Sequence, residues 1–269
     1  MKKIRLDELL IQKGYFTSRE QAKRATMAGL VYVNNERLTN VGMRVPKNAL
    51  IKVKSKEHPY VSRGGLKLKA AIDTFSIQLA GKTVLDIGAS AGGFTDCALQ
   101  HGAKYVYAID VGYGVLDWRL RQDPRVCVME RTNFRYVKIE DLKGERPNFA
   151  TIDVSFISLS NIIPNLQELL LNGEVVALIK PQFEAKREQV EKGGIVRDPD
   201  VHKRVLTNFV HLANKHRFEV LGLTTSPIKG REGNIEFLGY LMKNPTVKRQ
   251  IESMENLIQT VVDEAHTKM

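Results

Sequence analysis

Apolar positions recur along this chain at two spacings, and the changes between them mark its elements. In "IRLDELLIQKG" (residues 4–14), Leu6, Leu9 and Leu10, followed by Lys13, fall at helical spacing, with Gly14 as the C-cap. "TSREQAKRATMAG" predicts a second helix, opened by a Thr17–Glu20 capping box and closed by Gly29. Its small residues Ala22, Ala25 and Thr26 suit close helix packing. "LVYVNNERL" then alternates with period two around Asn34-Asn35, the pattern of a hairpin whose turn needs positive φ. "NALIKVK" is a further alternating strand. Beyond residue 61 the rhythm changes. "VSRGGLKLKAA" turns helical, and short apolar runs then alternate with helical stretches: "KTVLDI", "KYVYAID", "RVCVME", "NFATID" and "EVVALIK". Short buried strands interleaved with helices such as "ISLSNIIPNLQELLL" predict an α/β fold on a parallel sheet. The segment "FEVLGLTTSPIKGREGNIEFLGYLMK" has two strands and no helix between them, so the sheet is expected to end in an antiparallel strand.

Composition changes this picture in one respect. The chain of 269 residues is ordinary in its hydrophobic and charged fractions, but its net charge of +11 is unevenly placed. Residues 1–60 hold 13 basic against 5 acidic side chains, Arg63, Lys67 and Lys69 add three more, and the remaining 199 residues are neutral. A basic head on a neutral body is the pattern of a polyanion-binding module fused to another domain. No run is long enough to span a bilayer, and the lysine-rich start is broken by Asp7, Glu8 and Lys13, which excludes a signal peptide. Cys97 and Cys127 make no disulfide framework, and the six histidines have no metal-ligand spacing. A cytoplasmic protein without a metal is expected.

The head carries "RLDELL…SREQAKRAxxxGxVxVN", which resembles the S4 RNA-binding domain. The resemblance implies that Arg5, Arg19, Lys23 and Arg24 contact RNA phosphates. No aromatic residues interleave these cations, so recognition of folded RNA by backbone and shape is expected there.

In the body, "LDIGASAGGFTDCALQ" reads as strand, glycine-rich turn and helix. The signature is D-x-G-x-x-x-G-G, with no Lys-Ser/Thr pair to make it a phosphate loop. The next strand ends on Asp110. This looks like the S-adenosylmethionine site of class I methyltransferases, in which Asp86, Gly88, Ala89, Ser90, Gly92, Gly93 and Phe94 would surround the cofactor and Asp110 would take its ribose. Asp153, Lys180 and Glu236 stand at strand ends, where open α/β sheets hold their ligands. With a lysine near the glycine loop they resemble the Lys-Asp-Lys-Glu tetrad of FtsJ-type ribose 2′-O-methyltransferases.

The motifs "SRGGLKL", "DIGASAGGFT", "DVGYG", "ERTNFR", "DVSFISL", "LIKPQFE" and "GNIEF", in this order behind an S4 domain, resemble the TlyA family of rRNA methyltransferases, once called haemolysins. The resemblance implies an S4 domain over 1–56, a linker over 57–61 and an FtsJ-like domain over 62–269. It implies S-adenosylmethionine as cofactor, cytidine 2′-O-methylation in rRNA of one or both subunits, and Lys67, Asp153, Lys180 and Glu236 as the catalytic tetrad. Asp153 also borders the cofactor. Lys180 is the expected base, working in its neutral form, and Arg63, one helical turn before Lys67, is expected to face RNA. Lys67 and Lys69 lie about 200° apart on their helix, so only one can face the site. Two other classes compete: a non-catalytic rRNA-binding or assembly factor, and a base methyltransferase. The intact loop and tetrad weigh against the first. "DVSF", in place of an Asn/Asp-Pro-Pro-aromatic motif, weighs against the second. A membrane-active haemolysin lacks any spanning segment.

Overall fold

Strands three residues long build the first of two compact units, Met1–Pro59 and Tyr60–Met269. The computed structural model describes residues 3–16, 18–27, 29–53, 58–170, 172–230, 232–243 and 254–268. In the first unit β1 (Lys3–Arg5) leads directly into α1 (Leu6–Gln12), and α2 (Arg19–Met27) packs on it. Then follow β2 (Val31–Val33), β3 (Glu36–Leu38), β4 (Arg44–Pro46) and β5 (Ile51–Val53). β2 lies between β3 and β5, both antiparallel to it, and β1 pairs with β4. Asn34 and Asn35 take φ of 51° and 68°, the geometry the hairpin turn demands. Leu6, Leu9, Leu10, Ala22, Val31 and Val45 close a small core. The first expected helix is shorter than its apolar pattern, because residues 3–5 are taken into β1. The expected Thr17 cap lies outside the described residues.

The second unit is a seven-stranded sheet in the order β11-β12-β10-β9-β6-β7-β8. Its strands are β6 (Thr83–Ile87), β7 (Tyr105–Ile109), β8 (Val126–Met129), β9 (Phe149–Ile152), β10 (Glu174–Ile179), β11 (Phe218–Thr225) and β12 (Phe237–Lys243). β6 to β10 are mutually parallel, and β12 is antiparallel to both its neighbours, β10 and β11. Both faces are buried, so the strands read as unbroken apolar runs whose alternate residues enter opposite cores. Leu85, Ile87, Ala150, Ile152, Val175 and Ala177 face one core, which also takes residues of α6 (Ile163–Leu169), α8 (Pro199–Lys215) and α9 (Met254–Lys268). Val84, Val106, Phe149, Val176, Leu178 and Leu238 face the other, built with α3 (Gly64–Phe75) and α4 (Gly93–Gln100). Two short helices, α5 (Trp118–Arg121) and α7 (Pro181–Glu184), follow β7 and β10.

The second unit begins at Tyr60, within the stretch read as a linker. Tyr60 is buried with its ring against Gly65, and the Val61 N–H donates to Asp96 at 2.7 Å, so both residues are built into the second unit. The physical cause is the apolar surface of an aromatic ring, which is covered by α3 rather than left to solvent.

Candidate active site

β6 is the strand from which the sheet runs outward in both directions, to β7 on one side and β9 on the other. The crevice at such a switch point, past the C-terminal strand ends, is where open α/β sheets hold ligands. Gly88 leaves β6 there with φ of 86°, and a Cβ on it would meet the carbonyl oxygen of Asp153 at 2.4 Å. Only glycine lets the β6 and β9 ends approach this closely. The turn continues through Ser90, at φ of 50°, into the N-terminus of α4.

A cavity of about 770 Å³ opens beside this turn. Gly88, Ala89, Ser90, Gly93 and Phe94 line it, as do Arg63, Lys67, Asp153, Lys180 and Glu236. The four tetrad candidates come from α3 and from the ends of three strands, and they form two ion pairs. Lys67 Nζ lies 2.5 Å from Glu236 Oε2, and both side chains are buried. Lys180 Nζ lies 2.6 Å from Asp153 Oδ1 and donates to Ser155 Oγ at 2.9 Å. Lys69 lies outside this constellation, in an exposed pair with Asp73 one turn along α3.

Three residues expected around a cofactor, Asp86, Gly92 and Asp110, do not line this cavity. Asp86 is fully buried beneath the turn, where its oxygens accept from Thr95 Oγ1 at 2.5 Å and Thr151 Oγ1 at 2.9 Å. Burial pushes its carboxyl up to about 6 against these two bonds, with nearby Asp153 adding to the rise. Asp86 therefore braces the turn rather than lining the cavity. Gly92 faces inward, where a Cβ would strike Leu120 and Leu116. The oxygens of Asp110 accept from the N–H groups of Ser90 and Gly112, each at 2.7 Å, which ties the β6 and β7 loops together.

Several lining residues were not foreseen. Phe156 has φ of 63°, is 90% exposed, and sits 5.2 Å from Phe183 between ring centroids. A bulky residue in that conformation and that exposed is costly, and no local sequence cue announces it. Asn234 is buried. Its Oδ1 accepts from the Val196 N–H at 2.9 Å and its Nδ2 donates to the Gly194 carbonyl at 2.8 Å. It thereby clamps the 193–196 loop, which lines the cavity, to the segment carrying Glu236. Gly230 has no room for a side chain, since a Cβ would stand 2.6 Å from Glu236 Oε1. Gln182 Oε1 is buried without a partner, an acceptor available to a ligand. The glycines of "SPIKGREGNIEF" were the one visible hint of this crowding.

In the first unit Arg5 holds Asp7 through two bonds, at 3.1 and 3.0 Å, and keeps its carboxyl below the usual range. Arg19 pairs with Glu8. Lys23 and Arg24 are exposed on α2. Carboxylates therefore hold Arg5 and Arg19 on the basic face.

A family model for FtsJ-like methyltransferases matches residues 60–243, and one for the S4 domain matches residues 4–51. The chain is 52% identical over 266 residues to a Bacillus subtilis protein described as a candidate rRNA methyltransferase, YqxC, covering 98% of this chain and 95% of the other. It is 37% identical over 265 residues, 98% of each chain, to the Mycobacterium tuberculosis protein named 16S/23S rRNA (cytidine-2′-O)-methyltransferase TlyA. A solved Streptococcus thermophilus structure, described as a candidate hemolysin, superposes with a TM-score of 0.76 at 48% identity, over 100% of this chain and 97% of that one.

Proposed function

The chain belongs to the FtsJ-like methyltransferases, and from that premise we propose that it transfers a methyl group from S-adenosylmethionine to the 2′-hydroxyl of cytidine in ribosomal RNA, in one or both subunits. The observation that carries this reading is the pair of lysine–carboxylate contacts, Lys67–Glu236 and Lys180–Asp153, on one cavity beside the glycine turn. The cavity fits the cofactor: its floor is backbone brought close by Gly88, and Gly88, Ala89, Ser90, Gly93, Phe94 and Asp153 would hold it. When bound, it supplies a methyl group already activated by a sulfonium.

The chain's own residues have two tasks. The first is alignment of the ribose, in which positioning supplies a large part of the acceleration. Lys67, fixed by Glu236, presents its ammonium to the ribose and phosphate oxygens. The exposed faces of Phe156 and Phe183 suit a nucleobase taken out of its stack. The second task is proton removal. In this proposal Lys180 Nζ accepts the hydroxyl proton, a contribution of roughly 10²–10⁴-fold. Asp153 and Ser155 hold its Nζ in place, and Asp153 stabilises the ammonium that results.

We assign RNA affinity chiefly to residues 1–56 and chemistry to the unit beyond them, on the basis of the charge split and the S4 match. Arg5, Arg19, Lys23, Arg24 and Arg63 are the proposed phosphate contacts. The haemolysin names of relatives find no counterpart in this reading, since no helix among the described residues is long and apolar enough to cross a membrane.

The test is single-turnover methyl incorporation into rRNA at saturating cofactor. Lys180→Ala and Lys67→Ala should lose nearly all transfer while cofactor affinity stays near normal, and Lys69→Ala should be mild. Lys67→Arg should not rescue, because a planar fork replaces a compact ammonium in a confined place. Substantial transfer by Lys180→Ala would exclude it as the base. A dead Lys69→Ala beside an active Lys67→Ala would move the role to the opposite face of α3.

A further inference from the structure

The second unit is close to neutral beyond residue 70, yet its surface is not uniform. Seven large hydrophobic side chains of that unit are exposed among the described residues, and six of them lie between Val111 and Ile139. Such a concentration marks an interaction surface rather than scattered exposure.

The loops after β7 and β8 are braced against each other. Glu130 accepts from the N–H groups of Gly114, Val115 and Leu116 at 2.8, 3.1 and 3.3 Å, and also pairs with Arg121 on α5. These donors hold its carboxyl down at about 2. The Arg131 N–H donates to the Gly112 carbonyl at 2.9 Å, and Arg131 has φ of 52°. That bend lays its guanidinium 4.0 Å over the ring of Tyr113, which is 69% exposed. Trp118 is exposed at the start of α5, and Arg135 stands over the exposed ring of Tyr136 at 5.3 Å. Residues 111–138 contain six basic and three acidic side chains, and Asp117, Asp123 and Glu130 each pair with an arginine. Arg131, Arg135 and Lys138 remain in excess.

Guanidinium groups stacked on exposed aromatic rings, with surplus positive charge, suit a partner that carries both flat bases and phosphates. Tyr, Trp and Arg also suit protein interfaces, and it is the surplus of three positive charges in residues 111–138 that favours a polyanion. β7 and β8 run parallel to β6 and β9, so their following loops emerge at the same end of the sheet as the cavity. We propose that the platform of Tyr113, Trp118, Arg131, Arg135 and Tyr136 is a second RNA-binding surface, which stacks unpaired bases of the substrate strand near the modified nucleotide. This rests on the reading of RNA as substrate.

The test uses the full chain and two labelled probes of mixed sequence, a single-stranded RNA 12-mer and an RNA duplex of equal length. Tyr113→Ala should weaken single-strand binding by roughly five- to a hundredfold, the range for loss of one stacked base. Tyr113→Phe should restore it, and duplex affinity should not change. Arg131→Gln should lower the slope of log affinity against log salt by about 0.7, one single-strand phosphate contact. Cofactor affinity, measured by calorimetry, should be unchanged in all three variants. Unchanged single-strand binding in both Tyr113→Ala and Arg131→Gln would overturn the proposal, as would an equal loss on the duplex. Loss of cofactor affinity in Tyr113→Ala would overturn it by assigning the platform to the cofactor. Wild-type chain that binds neither cofactor nor methylates rRNA would overturn the methyltransferase reading alone, because the titration reads binding and not chemistry.

Discussion

Asp86 shows how a single buried residue can serve a site it does not touch. Its two threonine bonds fasten β6 to α4 and β9, and so set the turn on which the cavity depends. Burial pushes its carboxyl up to about 6 in the folded protein, against 3.8 for the ordinary side chain, so the folded state favours the protonated form. The associated stability is fully present below about pH 4 and is lost as pH rises through 6. Two units correspond to about 3 kcal/mol. Asp86→Asn keeps an acceptor and does not titrate. Its stability relative to wild type should therefore increase by about that amount between pH 4 and 7.5, read from urea unfolding at both pH values. A difference that stays flat with pH would show that Asp86 titrates normally. The buried Lys67–Glu236 pair obeys a different rule: removal of one partner strands a buried charge, so each carboxylate matters to stability as well as to chemistry.

At the scale of elements, the cavity is closed by loops that no apolar period describes. The 193–196 loop has Gly193 and Gly194 at φ of 96° and 76°, and its backbone is held by two described side chains: Asn234, which ties it to the β12 entry, and His202 of α8, whose Nε2 lies 3.1 Å from the Val196 carbonyl oxygen. Asn234→Ala would leave the Val196 N–H and the Gly194 carbonyl without partners. Val196 is buried, whereas Gly194 is exposed and its carbonyl can turn to water; one buried group left unsatisfied costs about 1–3 kcal/mol, so a loss of about that size in stability is expected. Methyl transfer should fall at least tenfold, with the loss in kcat/KM exceeding the loss in cofactor affinity. Unaltered kinetics in a folded Asn234→Ala protein would mean that the loop needs no clamp. Gly230 belongs to the same device, since it leaves the space that Glu236 occupies.

The whole molecule consists of two compact units with separate cores. A fragment starting at Pro59 retains both cores of the second unit, and it should keep cofactor affinity while losing rRNA methylation at moderate salt. Full-chain affinity for rRNA should fall steeply with salt, by a slope of about 0.9 per duplex phosphate contact. Undiminished rRNA activity in the fragment would deny the first unit its proposed role. Much of this molecule is determined by local sequence. Strand and helix periods, the Asn34-Asn35 turn and the D-x-G-x-x-x-G-G loop each depend on residues near one another in the chain, so their physics can be read along it. The four positions proposed as a tetrad were picked out by motif order, and α3 together with three strand ends brings them to one cavity. What only the tertiary structure decided is which groups meet across distance. It pairs Lys67 with Glu236, 169 residues apart, turns Asp86 and Gly92 away from the cavity, and lays Arg131 over Tyr113 within a body whose summed charge beyond residue 70 is zero. Those outcomes depend on strand order and on which face of each strand is covered, and the summed charge of a segment contains no information about where its charges lie in space.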